Sequence, residues 1–298
     1  MTAPWPDLGT RVTIRYRRPA GSVPPLTDAV GHLLAIAPTV RVQTKTGAIA
    51  EFAPADVVAL RVLTDAPIRT AEIRALEHAA AAAWPGTDRS WLDGWLLRAC
   101  HGAPLCANSA VPLDISARPD AIPAILDWYT QRGRTPRLAI PDRLMPDPAG
   151  LTGEHTERVL VGEVAARQAD PSITVSPRPD DVWRGHCDHE IAEHALTAVI
   201  DGELAFGSGP QAVVARAAVT DAPDGTRWVG VSAACTIDDQ SPTGPAALLY
   251  TALLAWGAGR GATRGYTCVP GTATPGWAES LGLRLHHRRR YLRTPASL

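Results

Sequence analysis

The sequence contains one lysine, Lys45, and every other basic residue is an arginine. Arginine spread this widely reflects a compositional bias and marks no single site. The five cysteines, Cys100, Cys106, Cys187, Cys235 and Cys268, are odd in number and contain no CxxC pair. That spacing excludes a disulfide framework and a zinc ribbon and leaves reduced thiols. No run of ~18 apolar residues occurs, so no membrane-spanning helix is predicted, and no basic-then-apolar leader is recognisable. The cytoplasm is the expected location. A net charge of -1 excludes a global basic field that would draw nucleic acid or anionic lipid. With 45% hydrophobic and 20% charged residues the 298-residue chain is globular in composition, and its length predicts two or three domains.

Residues 9 to 63 read as short strands: "TRVTIRYR", "DAVGHLLAI", "TVRVQTK", "AIAEFA" and "VALRVL". The turn candidate "PADV" precedes the last of them, a pattern that resembles an SH3-like β-barrel, here expected over 7–64. Seven basic residues (Arg11, Arg15, Arg17, Arg18, Arg41, Lys45 and Arg61) face four acidic ones in this unit. A solvated surface is the plainer reading of that excess; a face for docking nucleic acid or protein is the alternative.

From "RTAEIRALEHAAAAAW" the apolar period becomes helical. Strands "GWLLRAC" and "LCANSAV", a helix "DAIPAILDWYTQRG" and a strand "RLAI" follow, and the proline-rich stretch 170–181 reads as a linker holding at most one strand. Beyond it come a helix over 188–200, strands "ELAFG", "AVVARAAV" and "RWVGVSAACT", a helix from "SPTGPAALL", a strand "RGYTCV", a short helix near "GWAESLG" and a strand "LHHRRRYL". The segment "AILDWYTQRGRT" (124–135) matches "ALLAWGAGRGAT" (252–263) at six of twelve positions, and in both an Arg-Gly pair stands where a left-handed glycine would end a helix. The expected architecture is α/β, with two related halves at 67–165 and 172–298.

The stretch "SPTGPA" (241–246) opens the second half's helix. First-turn amides lack internal partners and carry the positive end of the helix dipole, so a phosphate can dock where side chains leave room. Gly244 and Ala246 leave that room, Ser241 and Thr243 offer hydroxyls, and Pro242 and Pro245 each remove an amide. With "LLAWGAGRGATRGYTCV" and "AESLGLRLHHRRRY" downstream, this segment resembles the GNAT family of acetyl-CoA-dependent N-acetyltransferases, whose motif is Gln or Arg, two residues, Gly, one residue, Gly or Ala. Ser241 stands in place of the Gln or Arg. The resemblance is good over about 180–292 and looser over 67–165, as in tandem GNAT proteins with a degenerate first copy. The barrel ahead of them is similar to that of a histone-acetyltransferase-like bacterial group.

The resemblance implies that acetyl-CoA is the cosubstrate. Its pantetheine would pair with the backbone at Ala234 and Thr236, and its pyrophosphate would rest on the segment Ser241, Thr243, Gly244, Pro245 and Ala246. A primary amine, from a protein lysine or a small molecule, would attack the thioester directly. The family's usual acid, a tyrosine just before "ESLGF", is replaced here by Ala278, after Trp277. The resemblance implies that a tyrosine restored at 278 raises turnover. Tyr266, Ser232 and bound water are alternative acids, and no catalytic residue is assigned. A non-catalytic acyl-CoA-binding or interaction protein remains the rival reading. The barrel is expected to dock a partner or substrate.

"HCDHEIAEH" (186–194) approaches a zinc-protease motif, but His189 and His194 lie five apart and would diverge by ~140° on a helix, so no metal is expected. "HHRRRYLR" (286–293) reads as a solvated terminal strand whose alternation sends Arg288 and Arg290 to one side and His287, Arg289 and Tyr291 to the other. Cys235 and Cys268 flank the expected thioester, where packing is the plainer role.

Overall fold

The computed structural model describes residues 5–6, 8, 10–44, 47–63, 68–168, 170–186, 191–235, 244–270 and 275–294. The chain divides into two compact units, Met1–Ile68 and Arg69–Leu298.

The first unit is one antiparallel sheet of β1 (Arg11–Arg17), β2 (Leu26–Ala35), β3 (Val40–Thr44), β4 (Ile49–Phe52) and β5 (Val57–Val62), in the order β4-β3-β2-β1-β5. Alternation sends Val12, Ile14, Ala29, Leu33, Val40 and Val42 inward to a single core closed by Phe52. "PADV" becomes a 3₁₀ turn, Pro54–Asp56, ahead of β5. Two of the basic residues are matched across strands, Arg15 by Asp28 and Arg41 by Glu51, each at 2.9 Å and exposed.

The second unit begins with α1 (Thr70–Ala83), β6 (Asp88–Leu92), β7 (Trp95–Ala99), β8 (Val111–Pro112), α2 (Ile122–Thr130), β9 (Arg137–Pro141) and β10 (Thr152–Glu163). It continues with β11 (Thr174–Ser176), α3 (Asp181–His186), α4 (Glu193–Leu196), β12 (Glu203–Ser208), β13 (Val214–Asp221) and β14 (Arg227–Cys235). The last elements are α5 (Pro245–Ala258), β15 (Arg264–Pro270), α6 (Gly276–Ser280) and β16 (Arg284–Arg293). Eight strands form a mixed sheet in the order β11-β12-β13-β14-β15-β10-β16-β9, and β6-β7-β8 form a separate small sheet. α1 covers one face of the large sheet through Leu76 and Ala79, against Val159, Trp228 and Tyr266. α5 covers the other face through Leu249 and Leu253, against Ala215, Val229 and Val231.

The two halves repeat one motif: three antiparallel strands, a helix, then a strand parallel to the third. In the first half the parallel contact is the single bridge Ala110↔Leu138; in the second it is the β14·β15 ladder. The Arg-Gly pairs fall at matching helix ends, with Gly133 at φ 62° and Gly261 at φ 84°. β10, however, lies between β15 and β16, so the first half supplies an interior strand of the second half's sheet.

Several sequence expectations change in the structure. "LCANSAV" gives a 3₁₀ turn, Leu105–Ala107, and the two-residue β8, because the Asn108 amide accepts from the Cys100 amide (2.6 Å) and donates to the Ala103 carbonyl (2.8 Å). Within the expected helix over 188–200 the described helical part is only α4, since the carbonyls of Leu196 and Ala198 accept from Arg216 instead of continuing a helix. β16 is an interior strand paired on both sides rather than a solvated terminal one.

Candidate active site

β14 and β15 are laddered only from Trp228↔Arg264 to Val231↔Thr267. β14 continues to Cys235 and β15 to Pro270, and among the described residues no ladder joins them further. Their outer neighbours stay in place, with Cys235 opposite Val214 on β13 and Pro270 opposite Glu157 on β10. The parting pair therefore leaves a slot edged by backbone from Ser232 to Cys235, a place for a group that can extend the sheet.

At the start of α5, Gly244 is the N-cap (φ -75°, ψ -179°) and no side chain caps it. The amides of Ala246 and Ala247 have no acceptor inside the helix, and Pro245 has no amide to give. Of the residues expected to hold a cofactor, Gly244, Pro245 and Ala246 stand at this helix start and Ala234 lies on the unladdered stretch of β14. Thr236, Ser241 and Thr243 lie outside the described residues.

A cavity of about 160 Å³ opens where the strands part, walled by Trp84 of α1's C-cap, Cys106, Glu157 of β10, Ser232 of β14, and Tyr266 and Cys268 of β15. Tyr266 lies against Gly230, where a Cβ would come within 2.3 Å of the phenol oxygen, so only glycine admits the ring. Burial pushes the Tyr266 hydroxyl far above its ordinary pKa and keeps it protonated. Ser232 Oγ accepts from Trp84 Nε1 at 3.0 Å, which leaves its own proton available to donate.

Trp84 is clamped by two buried arginines. The Arg216 guanidinium stacks 4.2 Å over its ring and donates to the carbonyls of Ala83 (2.8 Å), Leu196 (2.7 Å) and Ala198 (2.7 Å). Arg98 Nη1 donates to the Trp84 carbonyl at 3.1 Å. Both cations sit at the C-terminal end of α1, where the helix dipole is negative. Burial brings the Arg216 pKa down to about 10, so it stays charged at neutral pH.

An ionic cluster lies behind the cavity. Glu77, 3% exposed in α1, accepts from His287 Nε2 (2.7 Å) and from Arg289 Nε (3.1 Å) and Nη2 (2.8 Å). Arg289 Nη1 also donates to Glu157 Oε2 (3.1 Å), which accepts in addition from the Tyr291 hydroxyl (3.1 Å). Burial would raise the Glu77 pKa, but Arg289 and His287 outweigh it and hold the carboxyl at about 2. Next to His287, burial and the neighbouring imidazole bring His286 down to about 4.

The alternation expected for β16 is present, with His287, Arg289 and Tyr291 buried and Arg288 exposed. The sequence reading missed their partners. Glu77 falls four residues after Ile73 and next to Leu76, on the apolar face of the helical run, which was a usable signal; Glu157 carried none. Cys268 lines the cavity, but burial pushes its thiol far above the ordinary range, so it is a poor nucleophile. Burial pushes the Cys106 thiol up to about 11. Cys187 and His189 lie outside the described residues, as does the side chain of Cys235, while His186 and His194 are exposed. Among the described residues no group of three or more His, Cys, Asp or Glu side chains is arranged to hold a metal ion. Nor is any described helix long and apolar enough to cross a membrane.

Ala278 is fully buried among Leu249, Tyr250 and Trp277 in the core on the α5 side of the sheet. The position where the resemblance would have a tyrosine is filled by packing.

A family model described as "Probable histone acetyltransferase Rv0428c C-terminal" matches residues 70–292, and a second, "Rv0428c N-terminal Sm-like domain", matches residues 6–61. The chain is 66% identical over 289 residues to the probable histone acetyltransferase Rv0428c of Mycobacterium tuberculosis, covering 97% of this chain and 96% of the relative. The chain belongs to this acetyltransferase family. Its first unit is thus a small β-rich domain of the Sm-like kind, where the sequence pattern had pointed to an SH3-like one. Among solved structures, a GCN5-related N-acetyltransferase from Kribbella flavida superposes with a TM-score of 0.53 at 17% identity, over 78% of this chain and 98% of that one. A putative GNAT acetyltransferase from Novosphingobium aromaticivorans follows at 0.49 and 18%, over 74% and 99%. The Kribbella superposition assigns the mixed sheet of this acetyltransferase to the GNAT fold.

Proposed function

We propose that this acetyltransferase moves an acetyl group from acetyl-CoA to a primary amine by direct attack on the thioester. The observation that carries the reading is the end of the parallel ladder at Val231↔Thr267, with a cavity at the point of parting and an uncapped helix start nearby. Pantetheine would extend the sheet along Ser232 to Cys235, and the pyrophosphate would rest on the first turn of α5 at Gly244 and Ala246. The amine would enter from the α1 face. A strand amide beyond Val231 would stabilise the oxyanion, and the hydroxyl of Ser232 or Tyr266 would protonate the departing thiolate. The relative's name contains the word histone; carried to this chain, it makes the acceptor a lysine side chain of a protein, presented by a partner that the N-terminal unit docks.

Acetyl-CoA at about 100 times its Kd should stabilise the fold by ~2.7 kcal/mol and raise Tm by roughly 5–10 °C. Gly244→Glu, which sets a carboxylate against the pyrophosphate, should abolish that rise. An equal rise in the variant would remove the phosphate site from the start of α5. Thiol release from acetyl-CoA with a panel of amines separates an enzyme from a binding protein.

A further inference from the structure

We propose that Glu157 is the group that receives the acceptor's ammonium and takes its proton, so that the acceptor class is a primary alkyl ammonium with an apolar body; this rests on the acetyl-transfer reading above. Among the described residues lining the cavity, Glu157 is the one carboxylate. Its side chain is 18% exposed, against 3% for Glu77 and 5% for Arg289, so of the two cluster members that line the cavity, Glu157 and Arg289, it is the more open. Its Oε2 is held by Arg289 and Tyr291, while Oε1 has no hydrogen-bond partner among the described residues. The carboxylate is thus oriented through one oxygen and available through the other.

The charges around it fit a cation. Arg289 is shared between two carboxylates, Glu77 and Glu157, and of these His287 bonds only to Glu77, so Glu157 has a guanidinium that it does not hold alone. Of the other buried arginines, Arg98 and Arg216 are directed at backbone carbonyls, and Arg158, next to Glu157 on β10, falls on the opposite face of the strand. The remaining groups facing Glu157 are Tyr291 on β16, Cys268 and Tyr266 on β15, and Cys106 after β7. Burial keeps the proton on each of the four. Glu157 is therefore the wall group suited to accept one. Ile191, Val231 and Trp84 supply apolar wall for the acceptor's alkyl chain.

In the reaction one N–H proton passes from the ammonium to Glu157, leaving a neutral amine and a carboxylic acid. The nitrogen lone pair forms the bond to the thioester carbon, the C–S bond breaks with its electrons going to sulfur, and the second nitrogen proton ends on that sulfur. The products are an amide, a free thiol and protonated Glu157, which returns its proton to water.

Glu157→Gln tests this, since the amide oxygen can still accept from Arg289 and Tyr291. Thiol release would be followed with n-butylamine, spermidine and a lysine-containing peptide, and acetyl-CoA binding by its Tm shift. The variant should bind acetyl-CoA as the wild type does and lose ~100-fold or more in kcat/KM at pH 7. The loss should shrink as pH approaches the amine's own pKa of ~10.4, because free amine then needs no base. Glu157→Asp, which keeps a carboxylate, should retain the wild-type pH profile at reduced rate and serves if the Gln variant misfolds. A Gln variant with the wild-type rate and pH profile overturns the assignment while acetyl transfer stands, as does an Asp variant with a profile shifted to high pH. A wild-type protein inactive with every amine overturns both.

Discussion

Glu77 shows how a charge survives in the interior of this protein. Moving a carboxylate out of water costs several kcal/mol, and it is repaid here by the bidentate guanidinium of Arg289 and the ring of His287. The balance favours the ionised form, with a folded-state pKa of about 2 against an ordinary 4.5. A depressed carboxyl pKa gives stability that is fully present above 4.5 and is lost as pH falls towards 2. Tm should therefore show no pH dependence from this group between pH 7 and 5 and fall through the window below 4.5. Glu77→Gln should lower stability at pH 7 by about 3 kcal/mol, because a buried partner is left uncompensated, and should flatten the acid limb of the curve. An acid limb unchanged in the variant would assign acid unfolding to other carboxylates.

Elements set what a residue can be asked to do. Position 278 lies in α6, where Trp277 packs 4.1 Å from the Tyr250 ring of α5 and Ala278 fills the space beneath. A tyrosine there meets a full core, and overpacking typically costs 1–3 kcal/mol. Ala278→Tyr should lower Tm and leave thiol release no higher than in the wild type; a stable variant with faster turnover would restore the acid to α6. The start of α5 was legible because glycine, proline and small residues act within a few positions of one another. The alternation of β16 was legible for the same reason. The cavity was not, since Trp84, Glu157, Ser232 and Tyr266 come from four elements that meet only through the sheet order. β10 escaped notice because "TGEHTERVLVGE" is half polar and has no clean alternation; pairing on both sides, not propensity, makes it a strand.

The molecule as a whole has two cores that the contacts separate at Ile68. Removing residues 1–68 should leave a chain that unfolds cooperatively and keeps the acetyl-CoA-induced Tm rise, since α1 through β16 carry their own apolar interior. A well-folded truncation that no longer responds to acetyl-CoA would give the first unit a part in cofactor binding. The second unit cannot be divided in the same way. β10 is made early, and about a hundred residues must follow before β15 and β16 exist to flank it. On the ribosome the nascent strand waits with both edges open, a state that invites chaperones and proteases. Glu157 meets Arg289 only after β16 has been synthesised, so a translation product that stops short of β16 carries the other cavity walls but leaves this carboxylate without its guanidinium.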